Sequence, residues 1–189
     1  MDARSRILRA AVELLASAGF PGLTISAVAR ASGVSRPTVY AHFGSREELA
    51  SAVLRLVTRQ VTGRVVAQAR LAATGADFVV EAIIALRREF RREPALAPLA
   101  FPQRGTIIFD ADTLGPDALD VARDSLLPLL DFHPELADEL GEITETVVRI
   151  FLSLVMFESE LSASDATLRG YLHRRLVPAL GLPPPTPPA

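Results

Sequence analysis

The densest chemistry in the chain lies between Thr24 and Leu49, in the run TISAVARASGVSRPTVYAHFGSREEL. A tyrosine and a histidine two positions apart, Tyr40 and His42, stand beside Arg36 and Arg46, a combination that simple helix packing does not explain. The segment opening at Ser35 presents a helix N-terminus, whose free amides and positive dipole end suit a phosphate. Other chemistries are closed off. There is no cysteine, hence no disulfide, thiolate zinc site, iron–sulfur cluster or thiol nucleophile. The three histidines, at 42, 133 and 173, are too far apart in sequence to suggest a metal-ligand cluster. No metal, cofactor or catalytic residue is expected.

The elements that must hold these side chains read as two short helices. Thr24 caps the first, over about 25–31. The turn Ser32-Gly33-Val34 follows, and Ser35 caps the second, which runs to Phe43 and stops at Gly44. Ala29 is small where the helices cross, Gly33 gives the turn its backbone freedom, and Val28, Val34 and Val39 face inward. Pro37 is tolerated because the first helical turn loses no internal hydrogen bond there. This is a helix-turn-helix. Asp2 caps a preceding helix with Ile7, Leu8, Ala11, Leu14, Leu15 and Ala18 on one face, ended by Gly19 and Pro21. After it, Ser45-Arg46-Glu47-Glu48 spells a capping box that starts a long helix to about Leu71, joining head to body.

The same residues resemble the N-terminal DNA-binding domain of TetR-family transcriptional regulators. The likeness is carried by Gly22, Thr24, Val28-Ala29, Ser32-Gly33-Val34-Ser35, Thr38-Val39-Tyr40, His42-Phe43 and Ser45 to Leu49, about a quarter of the chain. Ser32 stands where alanine is common in that family and Arg46 where lysine is commoner. The resemblance implies that Ser35–Phe43 enters the major groove of an operator, with Arg36, Thr38 and Ala41 toward base edges and Pro37 in the same turn. Thr24, Ser35, Tyr40, His42 and Arg46 would position phosphates, Arg4 and Arg6 would add nonspecific contacts, and Val39 and Phe43 would be core. It further implies a homodimer on double-stranded DNA, repression rather than activation, and release by a small effector.

Net charge is −2 over 189 residues, which taken whole argues against nucleic acid. The distribution reverses that reading. Residues 1–60 hold eight arginines and four acids, +4; the remainder holds twelve arginines and eighteen acids, −6. A basic head on an acidic body confines phosphate contact to one end. Mean hydropathy is +0.28, yet the most apolar run, Val147 to Phe157, is too short to span a bilayer and contains Arg149. No signal peptide or membrane partner is expected, and the chain reads as soluble and cytoplasmic.

The body is helical in pattern. A helix over about 77–93 points Val79, Ile83, Leu86 and Phe90 inward, and its run Arg87-Arg88-Glu89-Phe90-Arg91-Arg92-Glu93 reads as a solvated face with i,i+4 pairs. Prolines and glycines over 94–116 predict a short helix and a loop. A helix near 117–130 follows, bent by Pro128. From Leu136 to Leu161 an apolar heptad stripe (Leu136, Leu140, Ile143, Val147, Ile150, Leu154, Phe157, Leu161) predicts one continuous helix, and a last helix runs from Asp165 to Leu180. These two helices, about 135–161 and 165–180, are apolar over wider arcs than one small domain covers, which predicts a homodimeric four-helix interface. Arg149 reads either as a salt bridge to Glu145, Glu142 or a partner-chain carboxylate, or as an effector contact. Phe90, Phe101, Ile107, Phe109, Phe132, Phe151 and Met156 are the candidate lining of an apolar effector cavity.

The expectation is thus an all-α protein of about nine helices, with a three-helix DNA-binding domain at 1–48. An effector-binding and dimerisation domain follows at 49–181, then a disordered proline-rich tail at 182–189. The function expected is a ligand-released DNA-binding regulator, not an enzyme. The alternatives are a helical enzyme or an adaptor that keeps the helix-turn-helix only for packing.

Overall fold

In the computed structural model, residues 2–93, 96, 116–157 and 159–183 are described. Eight α-helices and three short 3-10 turns make up the ordered elements among them, with no strand. The α-helices are α1 (Ala3–Gly22), α2 (Ile25–Ser32), α3 (Arg36–Phe43), α4 (Arg46–Ala69), α5 (Gly75–Arg92), α6 (Pro116–Leu126), α7 (Leu140–Met156) and α8 (Asp165–Ala179). Phe101, Ile107, Phe109, most of the short helix and loop expected over 94–116, and the tail from 184 onward lie outside the described residues.

Local signals set most boundaries. Asp2 accepts a hydrogen bond from the Ser5 amide at 2.7 Å to start α1. That bond holds the Asp2 carboxyl below the usual carboxylate range. Gly19 breaks α1 as expected, at φ 63°, but one further turn follows to Gly22 with Pro21 inside it. Thr24, Ser35, Ser45, Thr74 and Ser164 each cap the next helix by accepting an amide three residues on. Gly33, at φ 68°, sits in the left-handed conformation that the α2–α3 turn requires.

Packing joins the two ends. Ile7, Leu15, Leu23, Val28, Val39, Phe43 and Leu49 form the head's interior. On α4 the buried positions Leu49, Val53, Val57, Val61, Val65 and Ala69 recur every four residues, so one stripe runs from the head core into the body core. In the body, α5 lies antiparallel to α8. Along their shared edge Asp77 faces His173, Glu81 pairs with Arg169, and Arg88 pairs with Asp165. The Arg169 guanidinium, bonded to both Glu81 oxygens at 2.5 and 2.9 Å, holds that carboxyl below its ordinary range.

Three expectations change. The helix expected over 135–161 is shorter: a 3-10 turn at Pro134–Leu136 precedes α7, Phe157 is extended, and a second 3-10 turn spans Glu160–Ser162. The stripe is therefore core from Leu136 through Leu154, with Ile150 partly covered, while Phe157 and Leu161 are 66% and 47% exposed. Pro128 ends α6 instead of bending it: the helix stops at Leu126 and passes into a 3-10 turn over Leu127–Asp131. The charged run on α5 is only partly a solvated face. Arg87 is buried, and it donates to the carbonyls of Leu154 at 3.2 Å and Ser162 at 2.9 Å. The spacing Ile83, Ile84, Arg87, Phe90 puts it on the apolar stripe. Arg88 and Glu89 reach across to Asp165 and Arg64, not along their own helix.

Candidate DNA-binding surface

Helix α3 is built to show one face. Val39 and Phe43, four apart, are buried and anchor it on the head core. Arg36, Pro37, Tyr40, Ala41 and His42 are exposed, with Tyr40 at 51%, and Thr38 is half-buried. The Ser35 oxygen accepts the Thr38 amide at 3.3 Å and lies 2.8 Å from the Thr38 hydroxyl. Thr24 likewise accepts the Ala27 amide at 3.2 Å. A capping bond uses a hydroxyl lone pair and leaves an O–H donor, which a phosphate oxygen can accept. Eight of the nine residues expected to meet DNA thus stand at the surface or half-buried with polar groups to offer, or with small apolar contact area in the case of Pro37 and Ala41.

The ninth, Arg46, is differently engaged. It is exposed, but its Nε donates to the Leu23 carbonyl at 2.7 Å and an Nη donates to the Phe20 carbonyl at 2.5 Å. Nothing in local sequence reports this, because the acceptors lie 23 and 26 residues away. Arg4, by contrast, rests its guanidinium 5.4 Å from the centre of the Phe43 ring, a cation–π contact that sets it beside the end of α3.

The candidate effector residues do not gather at one place. Phe90 and Phe151 meet edge-on at 5.1 Å, and Met156 is half-buried near the end of α7. Phe132 stacks instead on Phe78, 6.3 Å away. Phe78 lies twelve residues before Phe90 on α5, about 18 Å along the axis at 1.5 Å per residue. Arg149 is paired with Glu145 across one turn, with its side chain 60% exposed. This is the salt-bridge alternative, lying on the surface of α7. A separate open cleft of about 180 Å³ lies between α4 and α6, lined by Arg59, Gly63, Val66, Val121, Asp124 and Ser125. It was not anticipated, since its lining is sparse in apolar residues and drawn from distant segments.

A short capped helix with a polar outer face, braced by two others at the N-terminus of an all-helical chain, defines a helix-turn-helix DNA-binding protein. Residues 7–53 match the sequence model described as bacterial regulatory proteins, tetR family. The chain is 30% identical to the HTH-type transcriptional regulator AlkX of Mycobacterium tuberculosis, over 93% of its own length and 83% of that relative's. Its fold superposes on the crystal structure of the TetR family repressor AlkX from Dietzia sp. strain DQ12-45-1b, implicated in biodegradation of n-alkanes. That match has a TM-score of 0.71 and 24% identity, covering 94% of this chain and 95% of that one. It also superposes on the R. erythropolis transcriptional repressor QsdR, with a TM-score of 0.67 and 17% identity over 97% of both chains. The chain belongs to the tetR family of bacterial regulatory proteins. It is a DNA-binding transcriptional regulator, and the family points to regulation rather than enzymatic turnover. Among the described residues no helix is long and apolar enough to cross a membrane.

Proposed function

We propose that the protein is a homodimeric repressor that leaves a pseudo-palindromic operator when a small, mainly apolar effector binds its body. The observation that carries the DNA side is the outer face of α3. Arg36, Pro37, Tyr40, Ala41 and His42 are exposed there while Val39 and Phe43 hold the helix in place. Arg36 suits guanine O6/N7, and Ala41 with the Thr38 methyl suits a thymine methyl. Thr24, Ser35, Tyr40 and His42 lie around them as phosphate-positioning groups. The head, 1–48, carries this surface, and the body, 49–181, carries the effector site and the dimer face.

For the dimer, the α7–α8 region is the natural face. Phe157 and Leu161 are exposed at the end of the α7 stripe, and Ile150 is only partly covered within one chain. A pseudo-palindromic operator requires the two α3 helices of such a dimer to stand about 34–36 Å apart, one helical turn of DNA. Repression is favoured by the likeness to two repressors of known structure. An apolar effector is favoured by the Phe90–Phe151 pair beside Met156, and by the n-alkane context given for the Dietzia relative. An effector that binds the DNA-free arrangement better shifts the population toward it, and effector and operator weaken each other's binding by the same factor.

Footprinting over the promoter region nearest the chain's own gene, followed by a thermal-shift screen of alkanes and fatty acids, tests both halves. A protected pseudo-palindrome is expected, together with an apolar ligand that raises Tm and releases DNA. Ligand at a hundredfold excess over Kd adds about 2.7 kcal/mol of stability. A hit set made of polar sugars or ions would overturn the effector reading and leave the operator reading standing.

A further inference from the structure

The first turn of α4 is where the family resemblance puts a phosphate anchor, and that turn already carries acidic side chains. Glu47 and Glu48 both lie in that turn. The Glu48 carboxylate folds back over the turn's start, its oxygens 2.8 and 3.1 Å from where a Cβ on Gly44 would stand. The Glu48 amide is taken by the Ser45 oxygen at 3.0 Å. A carboxylate therefore stands near the positive end of the α4 dipole and disfavours a second anion beside it.

The complementary end belongs to α1. That helix has no basic residue in its own last turn, and Gly19 interrupts it at φ 63° before the final turn to Gly22. Carbonyls at a helix C-terminus lack internal donors and favour a cation. Arg46 supplies one from α4: its fork spans two carbonyls, those of Phe20 and Leu23. Leu23 closes the corner, donating its own amide to Phe20 at 3.2 Å, and Thr24 caps α2 immediately after it. The guanidinium thus ties the start of α4 to the point from which α2 departs.

We infer that Arg46 is a positioning residue, a clamp joining the α1–α2 corner to the first turn of α4, and that it makes no phosphate contact. It acts on DNA through the aim of the helix pair, since α4 runs from the head core into the body and its tilt is passed to α2 and α3 at this joint. This rests on the reading of α3 as the DNA-contacting helix.

The test compares Arg46→Ala and Arg46→Lys in the full-length protein. Hydrogen exchange at the Leu23 and Thr24 amides reports the clamp without DNA, and operator titration over a salt series reports its consequence. For the clamp, exchange at both amides rises at least about fivefold in each variant, and operator affinity falls about tenfold, the loss of one to two charge-assisted hydrogen bonds. The slope of log K against log salt stays at the wild-type value, and lysine, a point charge without the planar fork, does not restore affinity. A phosphate contact gives the opposite pattern: a slope shallower by about 0.9 per subunit in the alanine variant, with affinity kept by lysine. That pattern, or unchanged exchange at Leu23 and Thr24, overturns the inference. Should the wild-type protein bind no operator, the reading of α3 fails and amide exchange alone decides the clamp. Arg46→Lys retains charge and helix start, so it carries the exchange test if the alanine variant does not fold.

Discussion

Head and body differ in how many of their arginines are held by other groups of the fold. In the body several guanidinium groups are held by specific acceptors, while Arg92, Arg123, Arg174 and Arg175 stand exposed. Arg87 is buried on two carbonyls, Arg169 grips Glu81, Arg88 meets Asp165, and Arg149 lies along Glu145. In the head, Arg6, Arg30 and Arg36 make no ion pair with any described residue, and Arg36 stands on the exposed face of α3. A charge already paired at short range offers little to a polyanion, whereas an unpaired exposed one releases counterions on binding. The difference bears on how a net −2 is compatible with DNA binding: residues 61–189 carry the acidic excess, and the basic surplus is local to the first 60 residues. Arg46, held like Arg87 by two backbone carbonyls, is a head residue engaged in this way.

The contrast can be broken at several points. The largest effect is expected from removing Arg36 and Tyr40 together by alanine substitution. Operator binding measured by gel shift should fall at least about a hundredfold, since a single bidentate base contact is worth ~1–3 kcal/mol and each dimer loses two sets. The dimer should remain intact by sedimentation. Survival of DNA binding in that variant would remove α3 from the interface.

Next in size is Arg87→Ala. It strands the Leu154 and Ser162 carbonyls in a buried setting, at a cost of about 1–3 kcal/mol for each unsatisfied group. Chemical denaturation should show a loss of roughly 2–4 kcal/mol, while operator affinity of the folded protein stays near wild type. A stable variant that loses DNA binding would show that body arginines reach the operator.

Cap removal at Ser35 sharpens the comparison on the head side. Ser35→Ala loses the bond to the Thr38 amide and should cost about 1 kcal/mol of head stability. The matching change Ser164→Ala, at the start of α8, should cost a similar amount of body stability without changing DNA affinity. Equal effects of the two on operator binding would erase the functional difference between the regions.

The smallest effect concerns pH. The hydrogen bond from Arg169 holds the Glu81 carboxyl below its ordinary range. A depressed carboxylate pKa stabilises the folded state above the unfolded value, and this contribution is lost as pH falls through the lower, folded one. Both side chains are 41% exposed, so screening keeps the contribution under about 1 kcal/mol. Arg169→Met should therefore lower the neutral plateau by that small amount, leave stability at the acid end almost unchanged, and so make the acid limb slightly shallower. An unchanged acid limb would remove this pair from the α5–α8 seam's stability.

How much was legible in the sequence varies with the distance over which a residue acts. Thr24, Gly33, Ser35 and Ser45 act on atoms within a few positions, so their types announce their roles, and the structure has each one there. Arg87 was legible in principle from its place on the Ile83, Ile84, Phe90 stripe, but a charged neighbourhood concealed it. The heptad stripe extended past the helix that carries it, because Phe157 and Leu161 keep the apolar period after the backbone has left helical geometry. Of the proposed effector lining, Phe90 and Phe151 do meet, while Phe132 belongs to a cluster at the other end of α5. Aromatic content alone does not say which rings share a space.

The sequence by itself determined the helical class, the helix-turn-helix and its outer face, and the split of charge between the two ends. Each follows from interactions closing over one to four residues, or from counting. Only the tertiary structure decided which arginines are spent, that α7 ends before its stripe does, and that Arg46 reaches the α1–α2 corner instead of standing open at the start of α4. Those outcomes depend on carbonyls and carboxylates brought near by chain reversals, and a guanidinium on a long flexible stem takes whichever acceptors the fold delivers.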